Sequence, residues 1–274
     1  MRTALLVPAA GSGTRLGAAR PKAFVPLAGR PLLWHALRGA VRTGAVDAVV
    51  IAAPDALIGE AARIAAEAVG EHPCAVEVVP GADDRAGSVA AALAAVPSAE
   101  HVLVHDAARC LTPPAVHLRV LRALRAGAEA VVPVLPVTDT VRTVEAGLGT
   151  PTSAGGELLA GSLDRSALRR VQTPQGFSRE VLFRVHALHH EDPDPAATDD
   201  AGLAARLGAQ VVGVPGDESA LKITYPLDLR IAALLLEDPQ LFSAETPPPD
   251  PHPSPQSAQV PLPMQNPLSE ENPS

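Results

Sequence analysis

Leu5-Leu6-Val7-Pro8-Ala9-Ala10-Gly11-Ser12-Gly13-Thr14-Arg15-Leu16-Gly17, followed by Pro21-Lys22, is the stretch on which the reading turns. An apolar run that ends in small residues and glycines reads as a buried strand passing into an anion-gripping loop. Residues without bulk let backbone N–H groups approach a phosphate, and Arg15 and Lys22 place two cations seven positions apart, which suits a nucleoside triphosphate. Lysine usage sharpens this. The chain contains two lysines, Lys22 and Lys222, against twenty arginines. An ammonium is a compact point charge and a guanidinium a planar fork, so contact with phosphate is a physical reason to keep an ammonium at two places. The second lysine lies in another motif-like stretch, Leu221-Lys222-Ile223-Thr224.

Outward from this loop, apolar runs alternate with helical patterns. Strands are expected over 3–9, 46–53, 75–79, 101–105, 129–135 and 209–214. Helices are expected over 31–43, 55–69, 86–96, 113–126, 178–190, 199–207 and 226–237. This predicts an α/β fold, a doubly wound and mostly parallel Rossmann-like sheet. In such sheets ligands sit beyond the carboxyl ends of the strands, and the loops at 8–22, 80–88 and 105–110 each follow a strand. Residues 137–166 break the alternation. Their Thr/Val pattern from Thr138 to Val144 and the Gly/Thr/Ser-rich turn from Gly147 to Gly156 read as a β-hairpin arm that covers a site or grips a second subunit. The nucleotide-handling domain is therefore expected over 1–242. From Ser243 to Ser274 the chain has ten of its 29 prolines and neither lysine nor arginine, which predicts a disordered, semi-extended tail.

Composition narrows the function. The net charge of −8 and an aromatic content of 2% argue against nucleic acid as a partner, because stacking platforms and basic surfaces are both missing. An acidic protein that binds phosphate must gather its positive charge in the pocket. The two cysteines, Cys74 and Cys110, have no metal-ligand spacing and fit a reducing cytoplasm; Cys110 as a nucleophile lacks an evident partner. The apolar start at Thr3–Val7 is short and broken by Pro8 and Gly11, which disfavours a signal peptide, and no run is long enough for a membrane span. The glycines at 11, 13 and 17 do not spell the dinucleotide fingerprint, and no acidic residue stands about twenty positions on to hold a ribose. His189-His190-Glu191 resembles a metal cluster without a spaced third ligand, so a solvated helix end is the simpler reading. Thr198 ahead of Asp199-Asp200 reads either as a helix N-cap or as a phosphate contact.

Five stretches together carry a family resemblance: Ala9–Leu16 with Pro21-Lys22, then Gly81-Ala82-Asp83-Asp84-Arg85-Ala86-Gly87-Ser88, then Val104-His105-Asp106-Ala107-Ala108-Arg109, then Leu163-Asp164-Arg165 with Gln172-Thr173-Pro174-Gln175, and last Lys222–Leu229. In this order the chain resembles the 2-C-methyl-D-erythritol 4-phosphate cytidylyltransferases of the non-mevalonate isoprenoid pathway, over about residues 1–237. The resemblance implies an enzyme that joins CTP to a polyol phosphate with Mg²⁺ as cofactor and acts as a homodimer. It implies that Arg15, Lys22, Arg165 and Lys222 carry the catalytic charge. Ala9, Ala10, Gly11, Gly13, Gly81, Asp83 and Ser88 would line the nucleotide site, while Asp106, Arg109, Thr140, Thr173 and Thr198 would serve the polyol phosphate. The metal would be held mainly by the CTP phosphates, with Asp106 as a possible contact. Thr140 and Arg165 would reach a partner subunit's site through the arm. Ala82 departs from the family's usual second glycine, Cys110 from a common proline and Ala220 from the usual asparagine. Ribitol 5-phosphate is the rival acceptor, and a nucleotide-binding regulator without turnover is the reading from a different class.

Overall fold

The computed structural model describes residues 2–11, 13–144, 159–192 and 198–238. In chain order the elements are β1 (Thr3–Pro8), β2 (Pro26–Leu27), β3 (Arg30–Pro31), α1 (Leu32–Val41), β4 (Ala48–Ala53), α2 (Ile58–Val69), β5 (Ala75–Pro80), α3 (Arg85–Ala94), β6 (His101–Val104) and α4 (Pro114–Arg125). The second half contains β7 (Ala130–Pro136), β8 (Arg142–Val144), β9 (Leu159–Ser162), β10 (Arg169–Val171), β11 (Gln175–Ser178), α5 (Arg179–Glu191), α6 (Asp200–Arg206), β12 (Val211–Pro215) and α7 (Pro226–Glu237).

The main sheet runs β5-β4-β1-β6-β11-β7-β12, with β10 on the same edge of β7 as β11. β1 pairs in parallel with β4 and β6, β4 with β5, and β7 with β12; β11 is antiparallel to both β6 and β7. Alternate residues of each central strand feed two cores. Leu5, Val7, Val49, Ile51 and Leu103 meet α1, α2 and α4 on one face. Ala4, Leu6, Val50, Ala52 and Val104 meet α3, α5 and α6 on the other. A sheet covered on both faces requires strands apolar at every position, which is why β1, β4 and β6 read as continuous runs.

The expected fold class holds, and three details differ. The helix expected from residue 55 opens with a 3-10 turn, Asp55–Leu57, before α2. β2 and β3 form a two-residue ribbon that the alternation did not signal. β10 and β11 were also missed, for they are short and interrupted by Pro174, and Gly176 has weak strand preference. Packing explains that glycine: a Cβ there would meet Val120 and would lie 2.8 Å from Leu124 Cδ1 of α4. The arm forms an antiparallel ribbon of β8 with β9. Its Gly147–Gly156 turn, and the tail from Ser243, lie outside the described residues.

Candidate active site

The loops that follow β1, β5 and β6 meet the Lys222–Thr224 stretch around a cavity of about 510 Å³. Its walls include Pro8–Gly11, Gly13–Arg15, Lys22, Ala82–Arg85, Ser88, Asp106–Ala108, Lys222 and Thr224. The cavity thus lies where the carboxyl-end rule places a ligand. Backbone geometry shapes the first wall. Gly13 takes a left-handed conformation at φ 68°, and a Cβ on it would stand 2.6 Å from Lys22 Cβ. The loop therefore folds directly over the lysine stem, closed by Lys22 N–H donating to Gly11 O at 3.3 Å. Gly81 is equally constrained, since a Cβ there would come within 2.6 Å of Ala10 Cβ. On the opposite wall the Ser88 hydroxyl accepts from Ala82 N at 3.0 Å and donates to Asp84 O at 2.9 Å. Asp84 caps α3 by accepting from Gly87 N.

Arg15, Lys22, Arg85 and Lys222 bring four cations to this one cavity. Lys222 Nζ lies 2.8 Å from Asp106 Oδ2, and Arg85 Nε lies 3.6 Å from Asp106 Oδ1. Burial pushes the Asp106 carboxyl up, but Arg85 and Lys222 outweigh it and hold it well below the usual carboxylate range. Asp106 is therefore a fixed anion between Arg85 and Lys222. Burial, with help from Lys222 and Arg15 and against Asp106, brings the Lys22 ammonium down from 10.5 to about 8. Positive charge crowded into a half-buried wall is an anion site prepared in advance.

Several expected site residues stand behind that wall. The Arg109 guanidinium donates to Ala220 O at 2.8 Å and Val171 O at 3.0 Å, and so ties the Lys222 stretch to β10. Thr173 is buried: its hydroxyl accepts from Asp106 N at 3.1 Å and pairs with His105 Nδ1 at 2.8 Å. His105 is fully buried and held neutral by burial and by its neighbour His117. Thr198 is exposed, and the N-cap of α6 is Asp199, whose carboxylate accepts from Gly202 N. The capping role therefore belongs one residue later than Thr198, because Asp199 has the extended backbone that an N-cap needs. Thr140 is exposed on the arm, and Arg165, also exposed, donates to Thr138 O at 2.6 Å; neither lines the cavity of its own chain. Cys110 is buried in an apolar cluster with its thiol raised to about 12, and Cys74 is raised to about 11, which removes both as nucleophiles near neutral pH.

Arg85 stands in one of the five family-like stretches with no expected role. The available signal was its position, directly after two loop aspartates and just ahead of the expected helix. What it pairs with, Asp200, lies 115 residues further along the chain.

The model of the 2-C-methyl-D-erythritol 4-phosphate cytidylyltransferase family matches residues 3–238. An enzyme of that name from Rhodococcus opacus is 48% identical over 233 residues, which is 85% of this chain and 94% of the relative. Another, from Saccharopolyspora erythraea, is 48% identical over 240 residues, or 86% of this chain and 100% of the relative. The crystal structure of the enzyme of that name from Thermus thermophilus superposes with a TM-score of 0.66 at 34% identity, covering 86% of this chain and 100% of the other. By a family match that runs from Thr3 to Asp238 and by relatives 48% identical over 85% of its length, the chain belongs to the 2-C-methyl-D-erythritol 4-phosphate cytidylyltransferase family.

Proposed function

We propose that this enzyme transfers CMP from CTP to 2-C-methyl-D-erythritol 4-phosphate, releasing pyrophosphate and forming 4-diphosphocytidyl-2-C-methyl-D-erythritol for isoprenoid synthesis. The observation that carries this is the convergence of Arg15, Lys22 and Lys222 on one cavity whose floor holds an ionised Asp106. Two anions must meet there. The acceptor phosphate has a second pKa near about 6, so at neutral pH it is already a nucleophile and needs no protein base. One of its oxygens attacks the α-phosphorus of CTP in line; the new P–O bond forms as the bond to the β-phosphate oxygen breaks, and pyrophosphate leaves with the electron pair. Arg15 and Lys22 face the triphosphate and neutralise charge that grows on the α-phosphate and leaving group, while Lys222 holds the acceptor phosphate. Gly81, Asp83 and Ser88 place the nucleoside with Ala9, Ala10, Gly11 and Gly13.

Magnesium belongs to this reading as a companion of the nucleotide. Among the described residues no group of three or more His, Cys, Asp or Glu is placed to hold a metal ion. Asp106 already answers to Lys222 and Arg85. Such a donor set would fit a cation carried on triphosphate oxygens, with Asp106 as a possible contact, better than a protein cage. There Mg²⁺ would supply further neutralisation of the triphosphate.

The functional unit in this reading is a homodimer joined through the arm. In support, β8 and β9 expose Val144 and Leu159, at 53% and 62%, and Leu163 follows at 41%. Thr140 and Arg165 stand on the same arm, away from their own cavity, so a second copy of the chain is the site they can serve. We place the reaction in the cytoplasm, which suits two free cysteines; among the described residues no helix is long and apolar enough to cross a membrane.

The test is a label balance. With CTP labelled at the α-phosphorus and methylerythritol 4-phosphate, the label should appear in the diphosphocytidyl product, whereas label at the γ-phosphorus should leave as pyrophosphate. Label from the α-phosphorus appearing as free CMP instead would contradict transfer to the acceptor.

A further inference from the structure

Arg85 has one foot in each half of the site. It is the first residue of α3, which follows directly on the nucleotide-lining loop, and its guanidinium extends to the acceptor side. There its Nε lies 3.6 Å from Asp106 Oδ1 while a terminal nitrogen donates to Asp200 Oδ2 at 2.7 Å. Asp200 is completely buried, and its other oxygen lies 2.9 Å from His186 Nε2 on α5. A buried carboxylate must be paired on both oxygens or it is costly, so Asp200 is a fixed post. The post is itself secured: Gln175 of β11 donates to Asp199 Oδ2 at 2.6 Å and accepts from Ala201 N at 3.1 Å, which fixes the start of α6 on either side of Asp200.

The charges alternate along this line. Lys222, Asp106, Arg85 and Asp200 read plus, minus, plus, minus, and His186 closes the inner end. Asp106 therefore divides its charge between two cations. With Arg85 in place, the Lys222 ammonium is held at 2.8 Å yet is not the sole counter-ion of that carboxylate, so its charge remains available to an incoming phosphate. Without Arg85, the whole field of Asp106 falls on Lys222. Among the described residues the contacts that lead from Asp200 to Lys222 pass through Arg85 and Asp106.

We propose that Arg85 is a positioning residue for the transfer reaction: anchored by Asp200 and His186, it shares the Asp106 carboxylate and thereby sets the place and availability of Lys222 for the acceptor phosphate. The proposal rests on Lys222 being the acceptor-phosphate residue. It also links the nucleotide loop to the acceptor side through one side chain.

The chain's two lysines make the test direct. With lysine labelled at its side-chain nitrogen and carbon, two resonances appear, and Lys222→Arg identifies one of them. In Arg85→Gln the Lys222 resonance should move further than that of Lys22; Asp200→Asn, which leaves the Arg85 charge undivided on Asp106, should move Lys222 in the opposite direction. In turnover, Arg85→Gln should lower kcat/KM for the acceptor by more than about tenfold while the Kd for CTP alone changes by less than about twofold, a split that general damage to the fold would not give. Arg85→Gln combined with Asp200→Asn should be no worse than Arg85→Gln alone, because both act through one contact. If Asp200→Asn does not fold, His186→Gln, which loosens Asp200 from its other side, takes its place in the same cycle. An unmoved Lys222 resonance in Arg85→Gln, or effects of the paired variants that multiply, would overturn the proposal. Absence of wild-type turnover with methylerythritol phosphate would count against the proposed function instead, and the resonance comparison would still decide the role of Arg85.

Discussion

Raising the pH should disable the nucleotide site before it disables the chemistry, and Lys22 is the reason. Burial, then Lys222 and then Arg15 depress its ammonium from 10.5 to about 8 in the free enzyme, with Asp106 opposing them. In its proposed role Lys22 must be protonated to serve the triphosphate, so the sign is a loss of activity as pH rises through that value. A single group with a pKa of about 8 is about nine-tenths protonated at pH 7 and about one-tenth at pH 9, which predicts an approximately tenfold fall in kcat/KM for CTP. Bound triphosphate adds negative charge beside the ammonium and raises its pKa again, so kcat should hold to a higher pH than kcat/KM. Neither substrate phosphate complicates this range, since their second ionisations near about 6 are complete. The assay is pyrophosphate release across the range with CTP varied and acceptor saturating. Lys22→Arg is the control: a guanidinium stays charged beyond about 12, so the alkaline limb of kcat/KM should disappear even though the altered donor geometry lowers the plateau. Lys22→Ala should cost on the order of 3–4 kcal/mol of transition-state stabilisation at neutral pH, or about 10²–10³ in rate, by analogy with loss of a single oxyanion donor. A flat kcat/KM for wild type to about pH 9.5, or an alkaline limb that survives in Lys22→Arg, would refute the assignment.

Three further outcomes are expected. In the proposed homodimer, mixing Arg165→Ala with Lys22→Ala subunits should restore activity towards about a quarter of wild type, because half of randomly paired dimers would be mixed and each would have one intact site; no recovery would place Arg165 in its own subunit's chemistry. Gly176→Ala forces a methyl into Val120 and Leu124 and should cost about 1–3 kcal/mol of stability with little change in activity per folded molecule, measured by denaturant unfolding beside an active-site titration. Removal of residues 243–274 should leave kcat/KM within about twofold, since the tail's composition provides little to pack against the domain; a larger loss would give the tail a place in the site.

The sheet and the anion loop were legible because local chemistry determines both. Buried parallel strands must be apolar at every position, as in β1 and β4, and a loop that folds over the Lys22 stem requires a residue without a Cβ at Gly13. The rarity of lysine pointed to Lys22 and Lys222, which the fold brings to one cavity from opposite ends of the chain. What stayed hidden depends on distant contacts. Gly176 looks like a poor strand residue until α4 is laid across it. Arg85 looks like an ordinary helix-start residue until α6 supplies Asp200. Arg109 and Thr173 carry polar groups suited to a ligand, yet their hydrogen bonds go to backbone and to His105, a choice that only the folded neighbours make. Thr198 and Asp199 are both good caps by type, and backbone geometry selects the second.

The central claim is the identity of the acceptor, and one comparison tests it most directly: kcat/KM for pyrophosphate release from CTP and Mg²⁺ with methylerythritol 4-phosphate against ribitol 5-phosphate. The two differ by a carbon skeleton and a methyl group, contacts worth about 1–3 kcal/mol each, so a preference of at least about tenfold is within reach of such a pocket. The account predicts that preference for methylerythritol 4-phosphate; an equal or greater kcat/KM with ribitol 5-phosphate would contradict it.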